Sequence, residues 1–138
     1  MKQHLAAFLR QIEHGVFDVG THDSNSVDYP DFAAQVGLKV ASGEADRGVL
    51  ICGTGLGMAI AANKCLGIRA APVHDTTTAE LSRRHNNINV LCIPADFVDE
   101  NQAAEILQIF LDTEFDGGRH ERRIRKIDDL QRDPPNGT

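Results

Sequence analysis

The chain has 138 residues, 25% of them charged and 41% hydrophobic, which suits one domain with a core of its own. A formal net charge of -6 argues against nucleic-acid binding by bulk electrostatics, though it leaves room for a local cationic pocket. No apolar run approaches the ~20 residues of a membrane span, the start lacks a signal-peptide core, and Cys52, Cys65 and Cys92 form no CxxC pair, so a reduced, cytoplasmic setting is expected. Leu5, Phe8, Leu9 and Ile12 recur at helical spacing, with Gly15 placed to end the helix. Val16-Phe17-Asp18-Val19-Gly20 reads as a first short strand, followed by a polar loop over residues 21 to 29. Pro30 suits the first turn of a helix whose Phe32, Ala33, Val36 and Val40 share one face.

After Gly43, the run Gly48-Val49-Leu50-Ile51 reads as a second strand. It enters Cys52-Gly53-Thr54-Gly55-Leu56-Gly57 and then a helix reaching about Cys65. A third strand is expected at residues 68 to 73, ending or bending at Pro72. Thr76 to Arg84 should be helical, closed by His85-Asn86-Asn87, and Ile88 to Ile93 should form the fourth strand. Residues 99 to 112 form an amphipathic helix through Ala103, Ile106, Leu107 and Phe110. Gly117-Gly118 breaks the chain before a charged helix at about 119 to 132, and residues 133 to 138 read as a frayed tail. Strands alternating with helices at this spacing predict a single α/β domain, a Rossmann-like parallel sheet with helices on both faces. Unusually for such a fold, the chain opens on a helix.

The glycine-rich turn concentrates the chemistry. Backbone N–H groups at a strand-to-helix turn point outward unpaired and attract anions, and glycines let a ligand approach the backbone closely. A thiol at that point can serve as base or nucleophile. The spacing G-x-G-x-G differs from the dinucleotide fingerprint and lacks the Lys-Ser/Thr of a P-loop, which disfavours a nucleotide-binding module. A tight turn without a ligand fits the spacing equally well, and Cys52 alone reads as a small buried hydrophobe. Its place at the carboxyl end of a strand, where open α/β sheets bind ligands, favours the functional reading.

His85 is either a helix C-terminal residue meeting the last carbonyls or a proton-transfer group. Arg119, Arg122, Arg123 and Arg125 gather positive charge in an acidic chain. Arg119 and Arg123 are one turn apart, so a phosphate between them would relieve their repulsion; the alternative is a solvated helix balanced by Glu121, Asp128 and Asp129. Tyr29, the one tyrosine, is placed to reach a ligand. His4, His14, His22 and His74 show no metal-ligand spacing, and Cys65 and Cys92 read as core.

Taken in order, Asp28-Tyr29-Pro30, Ile51-Cys52-Gly53-Thr54-Gly55-Leu56-Gly57, Ala61-Ala62-Asn63-Lys64, Gly67-Ile68-Arg69-Ala70, Leu81-Ser82-Arg83-Arg84-His85-Asn86, Asn89-Val90-Leu91 and Gly117-Gly118-Arg119-His120 resemble the ribose-5-phosphate isomerase B family, which includes the galactose-6-phosphate isomerase subunits. The resemblance runs from about residue 3 to 130. It implies aldose–ketose isomerisation of a sugar phosphate through an enediolate, with ribose 5-phosphate and ribulose 5-phosphate as the pair and neither metal nor cofactor. Cys52 would move the proton between C1 and C2, and Thr54 and His85 would assist ring opening. Amides of residues 53 to 57, among them Gly53, Gly55 and Gly57, would hold the enediolate oxygen. Tyr29 and Asn86 would contact sugar hydroxyls, and Arg119 and Arg123 the phosphate. Some members place a glutamate base just past the glycines; Met58 stands there in this chain, which favours Cys52.

Family members are homodimers or homotetramers with sites shared between subunits, so His85 and the arginines would act across an interface. The resemblance also implies five strands in the order 2-1-3-4-5, four of them in this sequence. The family's first strand ends in an Asp-His-Ala-Gly-like motif that precedes the first residue here. Without it, two strand edges should stay unpaired and the core should lie open. That motivates an alternative reading, a catalytically impaired or non-catalytic subunit acting with a partner chain.

Overall fold

The computed structural model describes residues 1–135. Six helices and three strands follow in the order α1 (Lys2–Gln11), α2 (Tyr29–Ala41), β1 (Gly48–Cys52), α3 (Leu56–Ala62), β2 (Ala70–Pro72), α4 (Thr76–Asn86), β3 (Val90–Pro94), α5 (Glu100–Asp112) and α6 (Arg119–Arg132). The sheet is parallel throughout, pairing β1 with β3 from Gly48↔Val90 to Cys52↔Pro94 and β2 with β3 from Ala70↔Val90 to Pro72↔Cys92. Alternate side chains of β3 enter opposite faces. Leu91 and Ile93 join Leu5, Ala79, Ile106, Leu107 and Phe110 beneath α1, α4 and α5. Val90 and Cys92 join Ala33, Leu50, Met58 and Ala62 beneath α2 and α3.

The strand order β1-β3-β2 corrects the sequential order that the resemblance implied for these strands. β3 is buried along its whole length and takes the centre. β2 has only three residues, and its Pro72 has no N–H to give a second neighbour, which suits an edge. The Asn63 side chain fixes that edge, donating to the Ala70 carbonyl at 2.8 Å and accepting its N–H at 2.7 Å.

The sheet has three strands, not four. Val16–Gly20 has no regular structure, and Phe17 is 62% exposed. A strand gains its stability from a neighbour's ladder, and among the described residues no strand lies between this segment and β1. Instead the segment forms one wall of a groove of about 1160 Å³ along the free edge of β1, shared with Leu5, Phe32, Leu107 and Leu111. The Gly48 N–H and the Cys52 carbonyl are spent on Asn89 and Ala95, the residues flanking β3. Parallel-ladder alternation therefore turns the polar groups of Val49 and Ile51 toward the groove. An open core beside one unpaired edge is thus present; the second unpaired edge is not, because that strand does not form.

Other boundaries differ slightly from those read in the sequence. α1 stops at Gln11, with Glu13 rather than Gly15 at positive φ, and α3 ends at Ala62 rather than near Cys65. α4 continues through Asn86 to a left-handed Asn87. α6 ends at Arg132 as expected, Asp133–Pro135 has no regular structure, and residues 136–138 of the expected tail lie outside the described residues. Among the described residues no helix is long and apolar enough to cross a membrane.

Arg83, 3% exposed, is a buried clamp. It donates to the Asn87 side chain at 2.7 Å and to the carbonyls of Ile88 at 2.6 Å and Thr113 at 3.2 Å, locking the α4–β3 corner. Burial pulls its guanidinium down to about 10, still cationic at neutral pH.

Phe110→Ala should cost about 3–5 kcal/mol in urea unfolding, because the ring is fully buried among large neighbours. Asp75 caps α4 by accepting the Thr78 N–H at 2.6 Å, and that bond holds its carboxyl below the ordinary 3.8. Its contribution is complete above that value and fades as pH falls through the folded-state one. Asp75→Ala should therefore destabilise the protein by ~1 kcal/mol at pH 7 in chemical unfolding, with the gap to wild type closing in strong acid.

Candidate active site

Cys52 ends β1, and its Sγ accepts the Gly55 N–H at 3.1 Å. The turn closes this contact because Gly55 takes φ +74°, which a side chain disfavours; a Cβ there would also press on the Cys92 carbonyl at 3.2 Å. The Thr54 hydroxyl oxygen accepts the Leu56 N–H at 3.3 Å, capping the entry to α3. Tyr29, first residue of α2, lies against the same turn: a methyl on Gly57 would be 2.6 Å from its hydroxyl oxygen. Gly53, Thr54, Gly55, Gly57 and Tyr29 therefore surround Cys52. The groove along β1 reaches this point, being lined by Tyr29, Cys52 and Met58.

The other cysteines are packing residues. Burial pushes the Cys92 thiol up to about 12, so it stays protonated inside the core. Cys65 is half-buried and meets Gly37, where a Cβ would stand 2.8 Å from its sulfur.

The second group of residues named from the sequence lies elsewhere. His85 and Asn86 form the last turn of α4, and Arg119 and Arg123 the first turns of α6. The Asp116 N–H donates to the Arg84 carbonyl at 3.1 Å and its carboxylate accepts Arg84 Nε at 3.2 Å, tying the two helices together. Arg119 and Arg123 are exposed and belong to no ion pair among the described residues, whereas Arg125 binds Glu121 at 2.6 Å.

His120, which the sequence reading named only within a motif, stacks on His85 with centroids 4.3 Å apart and planes 9° from parallel. Desolvation first, then the charges of His85, Arg119 and Arg123, hold its imidazole below the ordinary 6.5. The ligand atoms of His85, Asp116 and His120 lie within 4.8 Å of one another, close enough to consider a metal ion. Stacked rings, however, direct their lone pairs along parallel planes, Asp116 is already bound to Arg84, and two further guanidiniums stand nearby. This corner suits an anion better than a cation.

The two groups are separated by the sheet itself. Cys52 pairs with Pro94 at the carboxyl end, whereas α4 runs back to the amino end, where β3 begins after Asn89. Four residue steps of strand at ~3.3 Å put ~13 Å between the ends. The fold thus joins Cys52, Thr54, Tyr29 and the glycines, joins His85, Asn86 and the arginines, and keeps the two groups apart within one chain. Apolar surface flanks the Cys52 end: Leu56 is 56% and Ile60 65% exposed.

Comparison with known proteins identifies the family. Residues 1–127 match the family model described as Ribose/Galactose Isomerase. A putative sugar phosphate isomerase, YwlF, of Bacillus subtilis is 52% identical over 122 residues, covering 88% of this chain and 80% of its own. Ribose-5-phosphate isomerase B of Escherichia coli is 44% identical over 127 residues, covering 92% and 85%. Among solved structures, ribose-5-phosphate isomerase B of Clostridium thermocellum superposes with a TM-score of 0.93 at 46% identity, covering 95% of this chain and 88% of that one. The Mycoplasma genitalium enzyme, solved with bound ribulose-5-phosphate, gives 0.92 at 41% identity, covering 96% and 88%. The chain therefore belongs to the ribose/galactose isomerase family, alongside the ribose-5-phosphate isomerases B, and is an isomerase.

Proposed function

We propose that the protein interconverts ribose 5-phosphate and ribulose 5-phosphate in the cytoplasm, without metal or cofactor, in a site assembled from two copies of the chain. The observation that carries this reading is the separation of Cys52 from His85, Arg119 and Arg123, to all of which the family resemblance assigns a part in the reaction. One copy supplies Cys52 with its glycine-rich turn, Thr54 and Tyr29. A second supplies His85, Asn86, Arg119 and Arg123. The exposed Leu56 and Ile60 beside the turn are apolar surface for the contact between copies.

The reaction needs three proton movements. His85, with the Thr54 hydroxyl, takes the proton of the O1 hydroxyl and delivers one to the ring oxygen as the C1–ring oxygen bond breaks and the C1 carbonyl forms. Cys52, as thiolate, takes the C2 proton of the open aldose and the electron pair of that C–H bond forms the enediolate C=C. The charge on O1 is then met by the turn's N–H groups that have no acceptor among the described residues, those of Gly53, Thr54 and Gly57, since the Gly55 and Leu56 N–H groups are already held by Cys52 and Thr54. Preorganised donors of this type are worth about 3–4 kcal/mol each in other enzymes. Cys52 returns its proton to C1, and a proton moves from O2 to O1 to give the ketose. Arg119 and Arg123 grip the phosphate, supplying binding energy that holds C1 and C2 over the sulfur.

The groove beside β1 favours a second reading, a catalytically weak or non-catalytic subunit that works with a partner chain seated along the free edge of β1. A purified homo-oligomer that turns over ribose 5-phosphate removes it.

Cys52→Ala should lower kcat at least ~10²-fold in a ribulose 5-phosphate absorbance assay, with the melting temperature little changed. Cys52→Ala and His85→Asn should each be inactive alone. After subunit exchange their mixture should regain about a quarter of wild-type activity, because half the dimers are mixed and each carries one intact site. No recovery despite demonstrated exchange would place both residues in one chain's site and overturn the shared site.

A further inference from the structure

The corner after β3 presents a carboxylate to the reactive turn. Beyond Cys52↔Pro94 the pairing of β1 and β3 continues through the Ala95 N–H to the Cys52 carbonyl at 2.9 Å and the Asp96 N–H to the Gly53 carbonyl at 3.0 Å. These bonds fix the backbone of Asp96 against the residue that follows Cys52. Its side chain lies across Gly53, where a methyl group would stand 2.6 Å from Oδ2 and 3.7 Å from Oδ1, so glycine at 53 makes room for this carboxylate. Asp96 is exposed, and among the described residues its carboxylate has neither an ion pair nor a hydrogen bond.

We propose that Asp96 sets the direction in which a sugar phosphate enters, by keeping its phosphate off the glycine-rich turn. This rests on the isomerase reading. The substrate carries two groups that seek N–H donors: a phosphate dianion at one end and, only during reaction, an enediolate oxygen at the other. The unbound amides of Gly53, Thr54 and Gly57 attract both, and a substrate bound backwards would lay its phosphate over Cys52. An unpaired carboxylate on that turn repels the dianion, while sugar hydroxyls can donate hydrogen bonds to it. The phosphate is thereby left to Arg119 and Arg123, and the carbonyl end faces the sulfur. Asp96 is in this sense a specificity-determining residue rather than a proton carrier.

The test uses the full-length protein and two alkylating probes of similar size, anionic iodoacetate and neutral iodoacetamide. Their reaction rates at Cys52 are followed by peptide mass mapping at low ionic strength. Because both probes attack the same sulfur, their rate ratio cancels any change in the thiol's own reactivity. Asp96→Asn should raise the iodoacetate-to-iodoacetamide ratio about three- to tenfold, and the rise should shrink in 0.5 M NaCl as salt screens the charge. Asp96→Glu should keep the wild-type ratio. Inorganic phosphate should protect Cys52 from iodoacetamide at several-fold lower concentration in Asp96→Asn. A ratio within twofold of wild type, or unchanged phosphate protection, overturns the proposal. Alkylation needs no turnover, so a shifted ratio in a protein without isomerase activity would leave the screening role standing and reject the reaction. An unmoved ratio in an active enzyme would reject Asp96 alone.

Discussion

The register between β1 and β3 is the constraint on which the remaining structure depends. Because the two strands run parallel with Gly48 beside Val90 and Cys52 beside Pro94, every helix entering a strand arrives at one end and every turn leaving a strand departs at the other. The thiol and its glycines belong to a departing turn. The histidines and arginines belong to the end at which α4 arrives and α6 begins. No side-chain rotation bridges that distance. The proposed reaction, with its base, ring-opening imidazole and phosphate grip, therefore takes one of these sets from another copy.

At the Cys52 end the glycines serve geometry more than flexibility. Gly55 adopts a conformation that lets its N–H reach the sulfur, Gly57 leaves room for Tyr29, and Gly53 leaves room for Asp96. Each is a place where another part of the chain comes too close for a Cβ. At the other end the ordering is electrostatic. Asp116, held below the usual carboxylate range chiefly by its hydrogen bond to Arg84, anchors the corner where His85 and His120 stack. Arg119 and Arg123 remain available.

Local signals in the sequence carried as far as local physics does. The β1–turn–α3 unit is contiguous in sequence, and hydrophobic periodicity marked α2 and α5, so their reading survived. Val16–Gly20 failed because alternation predicts a strand only where a ladder exists to join, and that depends on residues distant in sequence. Strand order was hidden for a similar reason: nothing within residues 88 to 93 says that they occupy the middle of the sheet. Asp96, His120 and the buried Arg83 act through contacts that chain folding alone creates, with Gly53, His85 and Thr113. Spacing could not have found them. The family motifs carried the residues that the proposed site uses, including those at the far end, but motif order along the chain is silent about which residues meet within one copy.

A crystal structure of the protein with ribose 5-phosphate bound tests the central claim most directly. One sugar phosphate should span two copies, its C1–C2 edge within reach of Cys52 Sγ of one and its phosphate on Arg119 and Arg123 of the other. A ligand held entirely by residues of a single copy, or seated away from the sulfur, would contradict it.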